Sequence, residues 1–186
     1  MHITNNEPDK NLWEDVRKGS DAAFEKLYLQ YVRLLYRYGL KFTSQGQLIE
    51  DCIQELFSGI IKYHKTLSHT DNIKYYLLRS FKNKLIRILK KEQKYSVDED
   101  NNYYFEVQFS IEHEIMQTEE ERNRKKLLAN AVKKLSSRQK EAIYLRYTNQ
   151  LEYEEISSIM GMEVESCRNI IYKAIKTLRE RIKETT

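Results

Sequence analysis

At 186 residues, with 40% hydrophobic and 32% charged content, the chain suits one domain or two small ones and can bury a core. Five glycines and one proline favour helices throughout, and two cysteines, Cys52 and Cys167, exclude a disulfide framework and lack metal-ligand spacing. No stretch has the apolar length of a membrane span, residues 1–10 lack the apolar core of a signal peptide, and a net charge of +4 matters less than its distribution. These features predict a cytoplasmic protein whose cysteines are reduced core thiols.

Residues 11–18 read as a short helix with Leu12, Trp13 and Val16 available for burial, ended by Gly19. Ser20 is the expected N-cap of the next helix, 21 to about 41. Its apolar stripe is Phe24, Leu27, Tyr28, Tyr31, Leu34, Leu35, Tyr38 and Phe42. After a break at 43–47, an amphipathic helix of about 47–63 is expected to bury Leu48, Cys52, Ile53, Leu56, Phe57, Ile60 and Ile61. Asp51, Gln54 and Glu55 project elsewhere as a compact polar patch. No His or third acid joins them at coordinating spacing, which leaves a solvated helix face or a protein-docking patch.

A polar connector, 65–72, leads to a helix of different character, 73–91. Ile73, Tyr76, Leu77, Phe81, Leu85, Ile88 and Leu89 form its inward stripe. Between 74 and 94 eight cations, Lys82 among them, oppose only Glu92, and Tyr75, Tyr76 and Asn83 interleave with the charge. Single-stranded nucleic acid suits that arrangement, because cations track phosphates while rings stack on bases. An anionic membrane surface is the weaker reading, since the apolar face is needed to complete the helical bundle.

From 98 to 121 nine acids meet no Lys or Arg, and helical periodicity is lost over 97–110. This predicts a linker, a solvated tether between two basic modules, with an aromatic anchor at Tyr103, Tyr104 and Phe105. Helix resumes near Ile115 or Glu119 and runs to about Leu135, with Leu127, Leu128, Ala131, Val132 and Leu135 inward.

Three apolar-periodic segments then follow in 136–183. The first, 137–148, carries Ala142, Ile143, Leu145 and Tyr147; the second, 153–160, turns Ile156, Ile159 and Met160 inward. Gly161 stands where a helix must stop, in the left-handed conformation that glycine adopts without steric cost. A third helix repeats Cys167, Ile170, Ile171, Ala174, Ile175, Leu178 and Ile182 at three- and four-residue steps. Two helices joined by a short glycine-containing turn describe a helix-turn-helix, whose second helix enters the major groove. Its outward face carries Arg168, Asn169, Tyr172, Lys173, Lys176 and Arg179. Arg and Asn pair with guanine and adenine edges, while the cations further along suit phosphates. The alternative is a basic solvated face on an ordinary three-helix bundle. His2, His64, His69 and His113 are scattered through expected loops, and no nucleophile, phosphate loop or repeat accompanies them, so the pattern supports neither catalysis nor a metal or cofactor.

Four segments in this order, LWEDVRKGSDAAFEKLYLQYVRLLYRYG (12–39), IEDCIQELFSGI (49–60), YYLLRSFKNKLIRILKK (75–91) and the helix-turn-helix of 135–182, resemble a bacterial RNA polymerase sigma factor of the extracytoplasmic-function group. The resemblance implies an all-α protein of two small helical domains, a region 2-like domain at 1–95 and a region 4-like domain at 119–186, joined by the acidic linker 96–118. It implies that Asp51, Gln54 and Glu55 dock on the coiled coil of the polymerase's largest subunit. Arg79, Asn83, Lys84 and Arg87 would meet the −10 element on the opened non-template strand, with 69–72 forming part of a base pocket. Arg168, Asn169, Tyr172 and Lys173 match positions that read the −35 element, with Lys176 beside them. The implied partners are core polymerase, promoter DNA and an anti-sigma protein. Two positions depart from the pattern: Glu163 stands where a Ser or Thr cap is frequent, and Ile170 where a basic residue is. A response-regulator-like activator would share the helix-turn-helix without needing 48–91.

Overall fold

Several helix boundaries in this chain, those at Ser20, Ser136 and Gly161 among them, fall where capping chemistry puts them. The computed structural model describes residues 7–92, 104–107 and 119–183, and among these there is no strand. The chain divides into two compact units, 1–98 and 99–186.

In the first unit α1 (Glu7–Arg17) buries Leu12, Trp13 and Val16. Gly19 closes it with φ +85°, a conformation that costs side-chain-bearing residues steric strain. Ser20 then caps α2 (Asp21–Gly39), its Oγ accepting the Ala23 N–H at 3.3 Å. Leu27, Tyr31, Leu35 and Tyr38 of α2 meet α3 (Gly46–Lys62), which contributes Ile49, Cys52, Ile53, Phe57 and Ile60. The fourth helix, α4 (Ile73–Glu92), adds Ile73, Leu77, Leu78, Phe81 and Leu85. Each fully buried Leu, Ile or Phe contributes roughly 1.5–3 kcal/mol, whereas exposed ion pairs contribute about 1 kcal/mol at most. Apolar faces therefore hold the unit together.

The structure corrects the expected burial at several positions. On α3 the buried arc is rotated toward Ile49: Leu48 is half-buried and Ile61 is 52% exposed. Tyr28 is 40% exposed and lays its ring edge-on to Phe57, with centroids 5.0 Å apart. Leu78 joins the core, and Lys82, one of the eight cations of this stretch, is only 5% exposed. The basic face of α4 is narrower than its composition suggests, because the apolar arc around Phe81 takes the Lys82 position into the bundle.

The second unit comprises α5 (Glu119–Lys133), α6 (Ser137–Ile143), α7 (Tyr153–Met160) and α8 (Val164–Lys183). A reciprocal pair of bonds starts α6: Ser136 Oγ accepts the Gln139 N–H, and Gln139 Oε1 accepts the Ser136 N–H at 3.0 Å. Where one helix was expected over 137–148, the α-helix ends at Ile143 and a π-turn follows, Tyr144–Thr148. Leu145 stays buried there while Tyr147 is 58% exposed. The core gathers Ala142, Leu145, Leu151, Ile156, Ile159, Met160, Cys167, Ile171 and Ala174. Leu128 is 38% exposed, outside that core.

One piece of the expected tether is not solvated. Phe105 is fully buried against Tyr144, ring centroids 5.9 Å apart, and Glu106 accepts a 2.8 Å bond from Lys140 Nζ. Tyr104 beside it is 65% exposed; Tyr103 lies outside the described residues. An aromatic anchor does exist, and it holds the segment 104–107 to the second unit.

Candidate nucleic-acid interface

Gly161 produces the turn of the helix-turn-helix. Its φ of +61° and ψ of +49° are left-handed, and its N–H closes α7 on the Ser157 carbonyl. Three residues later α8 begins, with Cys167, Ile171 and Ala174 buried. Arg168, Asn169, Tyr172, Lys173 and Lys176 consequently share the exposed side, Tyr172 at 69% exposure. Burial pushes the Cys167 thiol up, and the Glu154 carboxylate adds to that shift, so the sulfur behaves as a core thiol.

Sequence reasoning missed what surrounds Arg168. Its guanidinium lies 3.5 Å from Glu154 on α7, 3.7 Å from Glu165 one turn back, and 5.5 Å from the Tyr153 ring centre. Arg146 lies over the same ring at 4.7 Å and donates to the Leu151 carbonyl at 2.7 Å and to Glu152 at 2.9 Å. The Glu165–Arg168 spacing was legible as a helical pair; the α7 partners required the turn geometry. Further along, Lys176 and Glu180 are 3.9 Å apart.

In the first unit the two expected surfaces sit side by side. Asp51 is exposed and accepts a 3.0 Å bond from Gln47 Nε2, and Gln54 is exposed. Gln54 borders a 640 Å³ groove between α2 and α3, with Tyr28, Arg33, Tyr36 and Arg37. Glu55 instead forms an ion pair with Lys84 of α4. The Lys84 hydrogen bond and charge hold the Glu55 carboxyl below the usual carboxylate range, with Arg87 adding to the effect against desolvation. Asn83, Lys84 and Arg87 line a second groove of 470 Å³ with Glu55, Tyr63, Tyr76 and Ser80. Arg79 is exposed, and its guanidinium donates to the Tyr75 hydroxyl at 3.0 Å.

The connector before α4 is fastened from α1. Trp13 Nε1–H donates to the Ser68 carbonyl and Arg17 Nε–H to the Leu67 carbonyl, both at 2.9 Å. Glu14 joins Arg17 at 3.1 Å and His69 at 2.8 Å. Burial alone would raise the Glu14 carboxyl, but Arg17 and His69 outweigh it and bring it below its ordinary value.

Comparison with known proteins supplies the family. The model of sigma-70 region 2 matches residues 27–95, and that of sigma-70 region 4 matches residues 125–178. The chain belongs to the sigma-70 family. Among curated proteins, this sigma factor is 25% identical over 157 residues to the ECF RNA polymerase sigma factor SigM of Bacillus subtilis, spanning 84% of this chain and 93% of SigM. It is 24% identical over 144 residues to the sigma factor SigV of the same organism, spanning 77% and 81% of the two chains. Its fold is shared by CnrH, solved in complex with the cytosolic domain of CnrY, with a TM-score of 0.60, 17% identity and 96% and 99% of the two chains covered. The sigma factor RpoE of Bartonella quintana, solved with the anti-sigma factor NepR, also gives a TM-score of 0.60, at 19% identity over 86% and 96% of the chains.

This is a sigma factor of the extracytoplasmic-function group, and it directs promoter-specific transcription initiation. Sigma factors initiate by binding rather than by catalysing a bond change. Among the described residues no helix is long and apolar enough to cross a membrane, and no group of His, Cys, Asp and Glu side chains could hold a metal ion.

Proposed function

We propose that this sigma factor works in the cytoplasm by gripping one promoter at two places while docked on core RNA polymerase. In this reading the exposed α3 face, with Asp51, Gln54 and Glu55, binds the coiled coil of the polymerase's largest subunit. Arg79, Asn83, Lys84 and Arg87 on α4 meet the −10 segment of the opened strand, beside the connector that Trp13, Glu14 and Arg17 hold in place. Arg168, Asn169 and Tyr172 face base edges of the −35 element, and Lys173 and Lys176 face its phosphates. The domains that carry these roles are 1–95 and 119–186, with 96–118 between them.

One observation carries the proposal: after a left-handed Gly161 turn, α8 exposes Arg168, Asn169, Tyr172 and Lys173 over its N-terminal half, the part that enters the major groove, with further cations beyond. Two weak sites on one tethered chain select a promoter together, because the second contact is made at high effective concentration. Capture of unstacked bases on α4 offsets part of the melting cost. CnrH and RpoE were each solved with a partner, which supports an anti-sigma protein as a third partner here.

Asp51→Arg tests the docking arm. It should lower affinity for core polymerase roughly tenfold or more, since like-charge juxtaposition across an interface costs several kcal/mol, with helix content unchanged by circular dichroism. Undiminished binding to core would remove this face from the interface. Duplex binding by a chain that never associates with core would favour the activator reading instead.

A further inference from the structure

The ion pair between Glu55 and Lys84 joins a residue assigned to polymerase docking with one assigned to DNA. It crosses the groove between α3 and α4, and Glu55 is the one acid among the residues that line it. Asn83, Lys84 and Arg87 line the groove from α4, and Lys84 contacts that carboxylate. The two ends are unequally open: the Glu55 side chain is 64% exposed and the Lys84 side chain 21%. A partner approaching the α3 face meets the carboxylate first, while Lys84 lies behind it.

A lysine ammonium is a compact charge with a small number of donors, so a carboxylate in contact with it competes with a phosphate for the same place. While Glu55 holds Lys84, the groove presents less positive potential than its cations would give, and phosphate entering it meets a like charge. We infer that Glu55 is a positioning residue that keeps Lys84 occupied until the α3 face is engaged, so that docking on polymerase releases the lysine toward the single strand. The inference rests on the reading of α3 as the docking face and α4 as the −10 face. It adds that the two are electrostatically coupled through one bond, which suppresses capture of stray single strands by the free protein.

The test uses the full chain, its Glu55→Gln, Lys84→Ala and double variants, and a short fluorescent single-stranded oligodeoxynucleotide. In the free protein Glu55→Gln should bind the oligonucleotide about two- to fivefold tighter, the range expected of an exposed ion pair. Its log affinity should fall with log salt more steeply by about 0.7, the release expected for one further phosphate contact on a single strand. Lys84→Ala should weaken binding, and in its background the tightening by Glu55→Gln should be much smaller. With each variant's own docking brought to saturation, core polymerase should raise the oligonucleotide affinity of wild type by a larger factor than that of Glu55→Gln.

If Lys84→Ala weakens binding while Glu55→Gln leaves it unchanged, the coupling is wrong and the DNA role of α4 survives. If Glu55→Gln tightens binding as much in the Lys84→Ala background as in wild type, the carboxylate acts only as general repulsion and the coupling is again overturned. If core polymerase raises the affinity of wild type and Glu55→Gln by the same factor, each variant's docking being saturated, docking does not release the lysine. An inert Lys84→Ala would instead remove Lys84 from the nucleic-acid face, which is a failure of the underlying reading.

Discussion

In the proposed reading, the surroundings of Arg168 would make a single side chain selective. Glu154 and Glu165 sit close enough to attract its guanidinium without hydrogen-bonding it, and Tyr153 offers a ring beside it. Those acids also repel phosphate, which disfavours backbone contact by Arg168 and favours a base edge. Replacing Arg168 with Ala should cost about 1–3 kcal/mol of −35 binding and relax preference at one base position. Binding to a set of duplexes varied at each −35 position checks this; an equal loss on every sequence would make Arg168 a phosphate contact. The residue type and its outward placement were legible in the sequence, because Cys167, Ile171 and Ala174 fix the buried phase of α8. The acids of α7 were not, because their approach depends on the left-handed turn at Gly161.

At the level of elements, capping signals were read most accurately. Ser20 caps α2 and Gly161 ends α7, both as their chemistry dictates. Helix phase was read less well where apolar residues exceed one face. The run Leu48, Ile49, Cys52 and Ile53 allows two rotations, and only contact with α2 and α4 selects Ile49 over Leu48. Lys82 makes a related point: net charge along a helix does not show which lysine stem the core absorbs. In the linker the expected aromatic anchor forms through Phe105, buried against Tyr144, while Tyr104 stays exposed. Phe105→Ala should destabilise the second unit by roughly 3–5 kcal/mol. Trp13, the one tryptophan of the chain, lies in the first unit, so its fluorescence reports that unit alone. Chemical denaturation should therefore show an earlier helix-loss phase by circular dichroism with an unshifted tryptophan transition; coincident, unchanged curves would mean that Phe105 contributes little.

For the whole molecule, division of labour between two units is the central claim. Charge distribution made that division readable: cations gather on α4 and α8, acids between them, and a total of +4 conceals both. Sequence could not show that Glu55 and Lys84 meet, since the contact depends on how α3 lies against α4. Neither grip needs to be tight alone, because tethering raises the effective concentration of the second. The most direct measurement is run-off transcription by core polymerase reconstituted with this chain, on promoter templates carrying intact, −35-scrambled or −10-scrambled elements. The account predicts transcripts from the intact template that depend on the added chain and fall sharply when either element is scrambled. Transcription indifferent to one scrambled element, or none from any promoter despite stable association with core, would contradict it.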